Sequence, residues 1–225
     1  MKHLKTYGLS NELILKFELY SKLLLEWNDK FNLTAIKEPE QIELKHFIDS
    51  LMSEKYISYS GKTLLDVGSG AGFPGIPLAI CHPDLKVTLL ESNGKKVTFL
   101  KAVVDALSLK NVSIIQGRSE ELLSYKESFD FVTARAVKQL NILLEICSHL
   151  LKICGEFVAY KGSDGEQELA EAKRAISLLG LEIKSINSYT LPEINDSRTL
   201  IVLKKVKTPH KKYPRTYSEI VKSPL

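Results

Sequence analysis

Three glycines at alternate positions, Gly68, Gly70 and Gly72, stand inside LLDVGSGAGFPGIPLAI, residues 64–80. The apolar run Thr63 to Val67 reads as a buried parallel strand, and Ile76 to Ile80 as a helix packing back on it. A glycine turn at that junction lets a flat ligand touch the backbone, because glycine adopts positive φ and has no Cβ. The dinucleotide fingerprint G-x-G-x-x-G needs a third glycine for close helix–strand packing. Here that position is Phe73, which argues against a pyrophosphate and leaves S-adenosylmethionine (SAM) as the fitting cofactor. Glu91 stands 25 residues beyond Asp66, at the end of a second predicted strand. A carboxylate there accepts from two ribose hydroxyls, which suits SAM and NAD alike; a plain surface glutamate before the Asn93-Gly94 turn is the alternative.

Ligands in such folds bind beyond the carboxyl ends of the strands, so the residues after each later strand are also candidates. Ser119 and Glu120 offer a donor and acceptors for an adenine edge, although Glu120 equally suits the start of a short helix. Arg135, in Thr133-Ala134-Arg135-Ala136, has a planar fork suited to a base, a cofactor or a phosphate, or to a structural ion pair. The same segment lacks the Asp/Asn-Pro-Pro-aromatic turn of amine methyltransferases and the Pro-Cys of thiol-dependent carbon methyltransferases. With no base or thiol in view, the economical acceptor is a ring nitrogen that already carries a free lone pair, and guanine N7 qualifies. Lys161 is a candidate RNA contact or a turn residue before Gly162. His46, on an apolar helix face, reads as a hydrogen-bonded packing residue or a functional one.

The elements that must carry these residues alternate strand and helix. Strands are predicted at Thr63–Val67, Lys86–Glu91, Val112–Gln116, Phe129–Ala134 and Ile153–Tyr160, with helices at Gly94–Leu107, Gln139–Leu151 and Asp164–Leu179. Leu181–Tyr189 and Arg198–Lys205 follow without a helix between them, which predicts an antiparallel pair closing the sheet. The fold class is therefore α/β, a doubly wound, mostly parallel Rossmann-like sheet. In front of it, apolar positions at three- and four-residue steps across residues 10–31, and a second helix near Pro39, make a helical extension over residues 1–60. Residues 61–206 form the cofactor-binding domain and 207–225 a basic tail.

The net charge of +4 is unevenly distributed. From Lys204 onward seven Lys/Arg oppose Glu219 alone, a local +6 that leaves −2 for the rest of the chain. Lys211, Lys212, Tyr213 and Arg215 together suit phosphate contact with base stacking, so RNA binding is weighed there against a solubilising disordered tail. Cys81, Cys147 and Cys154 have no CxxC spacing and read as buried thiols, with no metal site expected. The amino terminus interleaves apolar residues with Lys and Glu, so neither a signal peptide nor a membrane span is expected, and the protein is placed in the cytoplasm.

FNLTAIKEPEQIELKHFIDSL (31–51), LLDVGSGAGFPGIPLAI, LLESNGKKVTFL (89–100), GRSEEL and TARAV (133–137) together resemble the bacterial glucose-inhibited division protein B family, small-subunit ribosomal RNA guanine-N7 methyltransferases. The resemblance spans about residues 25–205. It implies a class I SAM-dependent methyltransferase fold and N7 methylation of one guanine in 16S rRNA, with naked RNA or the small subunit as partner and the protein a monomer. Matched by motif, it implies cofactor contacts at Gly68, Phe73, Ser119, Glu120 and Arg135. Thr133 stands where that family commonly has Ser, and only part of the family carries the tail. The competing readings are a small-molecule methyltransferase, a NAD-dependent dehydrogenase disfavoured by Phe73, and an assembly factor that binds SAM without catalysis.

Overall fold

A computed structural model of the chain describes all 225 residues. The extension consists of helix α1 (Lys2–Tyr7), helix α2 (Asn11–Phe31) and a third helical stretch. Ser10 starts α2 by accepting from the Leu13 amide, and Asn32 ends it in the left-handed conformation that asparagine tolerates. The third stretch begins with Pro39 in the first turn of α3 (Pro39–Ile42), widens into a π-helical segment (Glu43–Ile48), and returns to α4 (Asp49–Leu51).

The sheet follows as β1 (Thr63–Val67), β2 (Lys86–Glu91), β3 (Val112–Gln116), β4 (Phe129–Arg135), β5 (Leu151–Lys161), β6 (Leu181–Leu191) and β7 (Asp196–Lys205). Its spatial order is β3-β2-β1-β4-β5-β7-β6. The first five strands pair in parallel, and β7 runs antiparallel to both β5 and β6. Helices α5 (Gly75–Cys81), α6 (Gly94–Ala106), α7 (Leu140–Cys147), α8 (Gly165–Glu171) and α9 (Lys173–Leu178) connect the strands, and α10 (Tyr217–Lys222) ends the chain. The helix expected over Asp164–Leu179 is broken into α8 and α9 at Ala172, and the short α1 carries too few residues to show a period.

Two apolar clusters cover the two faces. One joins Phe17, Tyr20, Leu24 and Phe47 of the extension to Leu64, Ile76, Leu89 and Phe99. The other gathers Leu65, Val132, Leu143, Phe157 and Ile201 with Ile220 of the last helix. Both chain ends are thus built into the core. The register sets Val67 beside Leu90 and Asp66 beside Thr133, so β1 lies between β2 and β4 and the loops after all three open together. That reversal of strand order is where α/β sheets bind ligands.

Candidate functional site

The glycine loop is held on both sides by backbone bonds. The Gly68 and Ser69 amides donate to the Leu90 carbonyl at 2.8 and 3.1 Å. The Gly70 amide donates to Glu91 Oε2 at 2.9 Å, and the Asn93 amide to Glu91 Oε1 at 2.8 Å. Glu91 therefore ties β2 to the loop; Oε1 also accepts from Ser92 Oγ at 3.5 Å, while Oε2 keeps a second lone pair. Beneath it, buried Asp66 accepts from the Gly75 amide at 3.0 Å through Oδ2, whereas its Oδ1 has no partner. Burial raises this carboxyl to about 7.

All three glycines take positive φ, 68°, 59° and 98°, for different reasons. A Cβ at Gly70 would meet nothing nearer than the Gly68 carbonyl oxygen at 3.8 Å, so this residue faces open space. At Gly68 it would strike Val137 at 2.8 Å, and at Gly72 it would strike Ile76 at 2.5 Å and the Tyr20 hydroxyl at 2.6 Å. The sequence suggests three glycines bare toward a ligand; only Gly70 is so, and the other two admit neighbouring side chains. Tyr20 fills the space at Gly72 and donates its hydroxyl to the Ala71 carbonyl. Its ring stacks on Phe73 at 5.4 Å.

Phe73 also stacks on His46, 4.4 Å away and 12° from parallel, and carries the Arg135 guanidinium at 5.0 Å. Arg135 Nη1 donates to Asp49 Oδ2 at 3.0 Å and to the Lys45 carbonyl at 3.2 Å. The π-helical segment presents that carbonyl, so the extension supplies the partners of the fourth strand's last residue. Asp49 is buried and accepts a further bond from the Tyr189 hydroxyl at 2.8 Å. Burial, then the Arg135 charge, lowers His46 to about 3, so its ring is neutral near pH 7. Its Nε2 lies 2.9 Å from Thr34 Oγ1. A cleft of about 490 Å³ opens here, lined by Lys45, His46, Asp49, Arg135, Lys138 and Arg198 among others.

On the far side of the loop, Ser119 is buried, and Glu120 Oε1 is a buried oxygen without a hydrogen-bond partner. An open face at Gly70, a free lone pair on Glu91 Oε2 and an acceptor without a hydrogen-bond partner at Glu120 fit the ribose and adenine halves of SAM, so the residues present suit that cofactor. The gathering of ligand atoms closest to a metal set, His3, Glu40 and Glu193 within 4.8 Å, lies between the extension and the β6–β7 turn, and Lys2 already occupies Glu193.

Several expected positions differ. Lys161 is buried, with Nζ donating to Glu168 at 2.7 Å and to the Lys138 carbonyl at 2.8 Å, so it is a structural cation and not a free RNA contact. Arg215 is likewise spent, its Nε and Nη2 reaching buried Glu145 at 2.7 and 2.6 Å. Tyr213 packs against the second core cluster, with Lys212 Nζ 5.0 Å over its ring, while Lys211 and Lys212 remain exposed. The tail is docked on the core as an irregular segment ending in the six-residue helix α10, not a disordered one. Cys147 is buried, but Cys81 is half-buried and Cys154 is exposed. Sequence reasoning missed Asp49, Tyr189 and the clamp of Tyr20. A carboxylate on the apolar face of FIDSL was a visible signal for Asp49; Tyr20 looked like any core aromatic.

Residues 13–201 match a family model described as GidB, rRNA small subunit methyltransferase G. The chain is 43% identical over 225 aligned positions to the ribosomal RNA small subunit methyltransferase G of Bacillus velezensis, covering 98% of this chain and 94% of that one. It is 45% identical over 214 positions to the protein of that name from Lachnoclostridium phytofermentans, covering 93% and 88%. Among solved structures, a SAM-dependent methyltransferase from Aquifex aeolicus superposes with a TM-score of 0.59 at 18% identity, over 75% of this chain and 94% of that one. A putative methyltransferase from Haloferax volcanii, solved with its Trm112 activator, gives 0.61 at 16% identity over 76% and 94%. These likenesses establish the Rossmann-like class I methyltransferase fold. No helix is long and apolar enough to cross a membrane.

Proposed function

The chain belongs to the rRNA small subunit methyltransferase G family, and we propose on that premise that it methylates N7 of a guanine in 16S ribosomal RNA. It is a SAM-dependent rRNA methyltransferase. SAM, when bound, supplies a sulfonium methyl group whose carbon is taken by the acceptor's lone pair while the C–S bonding pair stays on sulfur.

The observation that carries the choice of acceptor is the absence of an available base in the cleft. Asp49 is engaged by Arg135 and Tyr189, and Glu168 by Lys161 and the Leu140 amide at 2.7 Å. His46 is held near 3 and faces a cation on one side. An exocyclic amine must lose a proton on methylation; a ring nitrogen such as N7 does not, so binding and orientation carry the acceleration. Gly70 offers bare backbone to the cofactor, Glu91 would hold its ribose, and Ser119 and Glu120 its adenine. Phe73 stacks behind His46 and Arg135, which line the cleft. Arg135, fixed over Phe73, is the candidate catalytic residue, its planar fork orienting the acceptor base. Exposed Lys211 and Lys212 would meet phosphates. We place the protein in the cytoplasm as a monomer.

The test is incubation with methyl-labelled SAM and small subunits made without this activity, followed by nucleoside analysis. Label is expected in 7-methylguanosine. Label in another nucleoside would overturn the acceptor assignment, and no transfer by a protein that binds SAM would favour the assembly-factor reading.

A further inference from the structure

The tail lies beyond residues 13–201, the span matched by the family model. Its docked side ends at the cofactor region. Arg215 gives Glu145 its backbone amide at 3.2 Å besides the two guanidinium bonds, and Glu145, on α7, is fully buried. Thr216 and Glu219 form a capping box that starts α10, and Ile220 enters the second core cluster. Between these anchors, Tyr217 presents its ring to the Arg118 guanidinium at 5.0 Å. Arg118 directly precedes Ser119 and Glu120, and its Nη1 lies 3.8 Å from Glu120 Oε1, the buried oxygen without a hydrogen-bond partner. The turn at Ser119–Glu121 packs on α7, which the tail holds through Glu145. A cavity of about 490 Å³ lies between this turn and residues 214–217.

We infer that the tail forms one wall of the cofactor site, with Tyr217 and Arg215 as positioning residues that keep Glu120 available to the adenine amine of SAM. The inference rests on the proposed adenine role of Glu120. Adenine offers an amine donor and a flat π face; the cavity offers a buried acceptor, a guanidinium and an aromatic ring. Arg118 is half-exposed and shared between the Tyr217 ring and the Glu120 carboxylate, the ring holding its guanidinium beyond hydrogen-bond distance of Oε1. Without the ring it collapses onto Glu120 and takes the acceptor that adenine needs. The tail thereby acts on the cofactor, independently of any RNA contact by its lysines.

The experiment is calorimetric titration with S-adenosylhomocysteine of the full-length protein and of Tyr217→Ala, Tyr217→Phe and Arg215→Ala, each checked by its melting temperature. Tyr217→Ala is expected to weaken binding about tenfold, the size of a lost cation–π contact with its ordered loop, while Tyr217→Phe keeps the ring and the affinity. In turnover, KM for SAM should rise in Tyr217→Ala with kcat at saturating SAM unchanged, which a general loss of stability would not produce. Wild-type affinity in folded Tyr217→Ala overturns the inference alone. Failure of the unmodified protein to bind S-adenosylhomocysteine overturns the cofactor site itself and this inference with it. Should Arg215→Ala not fold, because Glu145 loses its buried partner, Tyr217→Ala decides.

Discussion

The two ends of the chain brace opposite sides of one loop cluster with different interactions. On the amino-terminal side, Tyr20, Phe47 and Phe73 pack as buried aromatics, with one hydroxyl bonded to the glycine loop and one buried ion pair between Arg135 and Asp49. On the carboxy-terminal side, an ion pair of Arg215 with Glu145 and a half-exposed stack of Arg118 on Tyr217 hold the adenine-side turn. The first brace belongs to the main core, so disturbing it costs folding as well as function. The second lies at the rim, so disturbing Tyr217 costs ligand affinity and little stability.

The largest expected effect strikes the loop that both braces serve. Gly70→Val puts a branched side chain at φ 59° into the open cofactor space and should abolish S-adenosylhomocysteine binding in calorimetry. Unaltered affinity in the folded variant would remove the loop from the site. Next, Arg135→Ala leaves buried Asp49 with only the Tyr189 hydroxyl and Arg198 Nε at 3.7 Å and should destabilise by about 3 kcal/mol in urea unfolding, the low end for a broken buried pair, with loss of methyl transfer. A loss under about 1 kcal/mol, as for a surface pair, would mean that the amino-terminal brace does not depend on this ion pair.

Asp66 and His46 pull stability in opposite directions with pH. Asp66 sits at about 7 against an ordinary aspartate's 3.8, so the native state keeps a proton that the unfolded chain releases, and this contribution is lost as pH rises through that window. His46 sits at about 3 against an ordinary histidine's 6.5, so the unfolded chain takes the proton first on acidification, and stability falls as pH drops from 6.5 toward 3. Asp66→Asn removes the first contribution and leaves the second. Its stability relative to the unmodified protein should therefore rise from the acidic to the neutral end of the Asp66 window, by up to about 4 kcal/mol. Equal differences in urea midpoint at both ends would show that Asp66 ionises normally. The smallest effect is Tyr20→Phe, which keeps the stack on Phe73 and removes the bond to Ala71, at about 1 kcal/mol; a greater loss would mean that the hydroxyl, more than the aromatic packing, holds the loop.

What the sequence makes legible here is what short-range pattern determines. Thr63–Val67, Lys86–Glu91 and Val112–Gln116 are apolar runs bounded by turns, and all three lie at their expected bounds. The glycine spacing locates the turn, and Glu91 comes to it because β2 is β1's neighbour. Pattern fails where a partner is distant in sequence. Arg215 looks free until Glu145, 70 residues away, folds beneath it. Lys161 looks like a turn residue until α8 brings Glu168 within reach. Gly68 and Gly72 look bare until Val137 and Tyr20 occupy the space their missing Cβ atoms leave.

The central claim is that the cofactor lies across Gly70 between the two braces, and a crystal structure with S-adenosylhomocysteine tests it most directly. The ligand's ribose hydroxyls should bond Glu91 and its adenine amine should bond Glu120 beside the docked tail. Ligand density away from Gly70, or a ribose out of hydrogen-bonding reach of Glu91, would contradict the account.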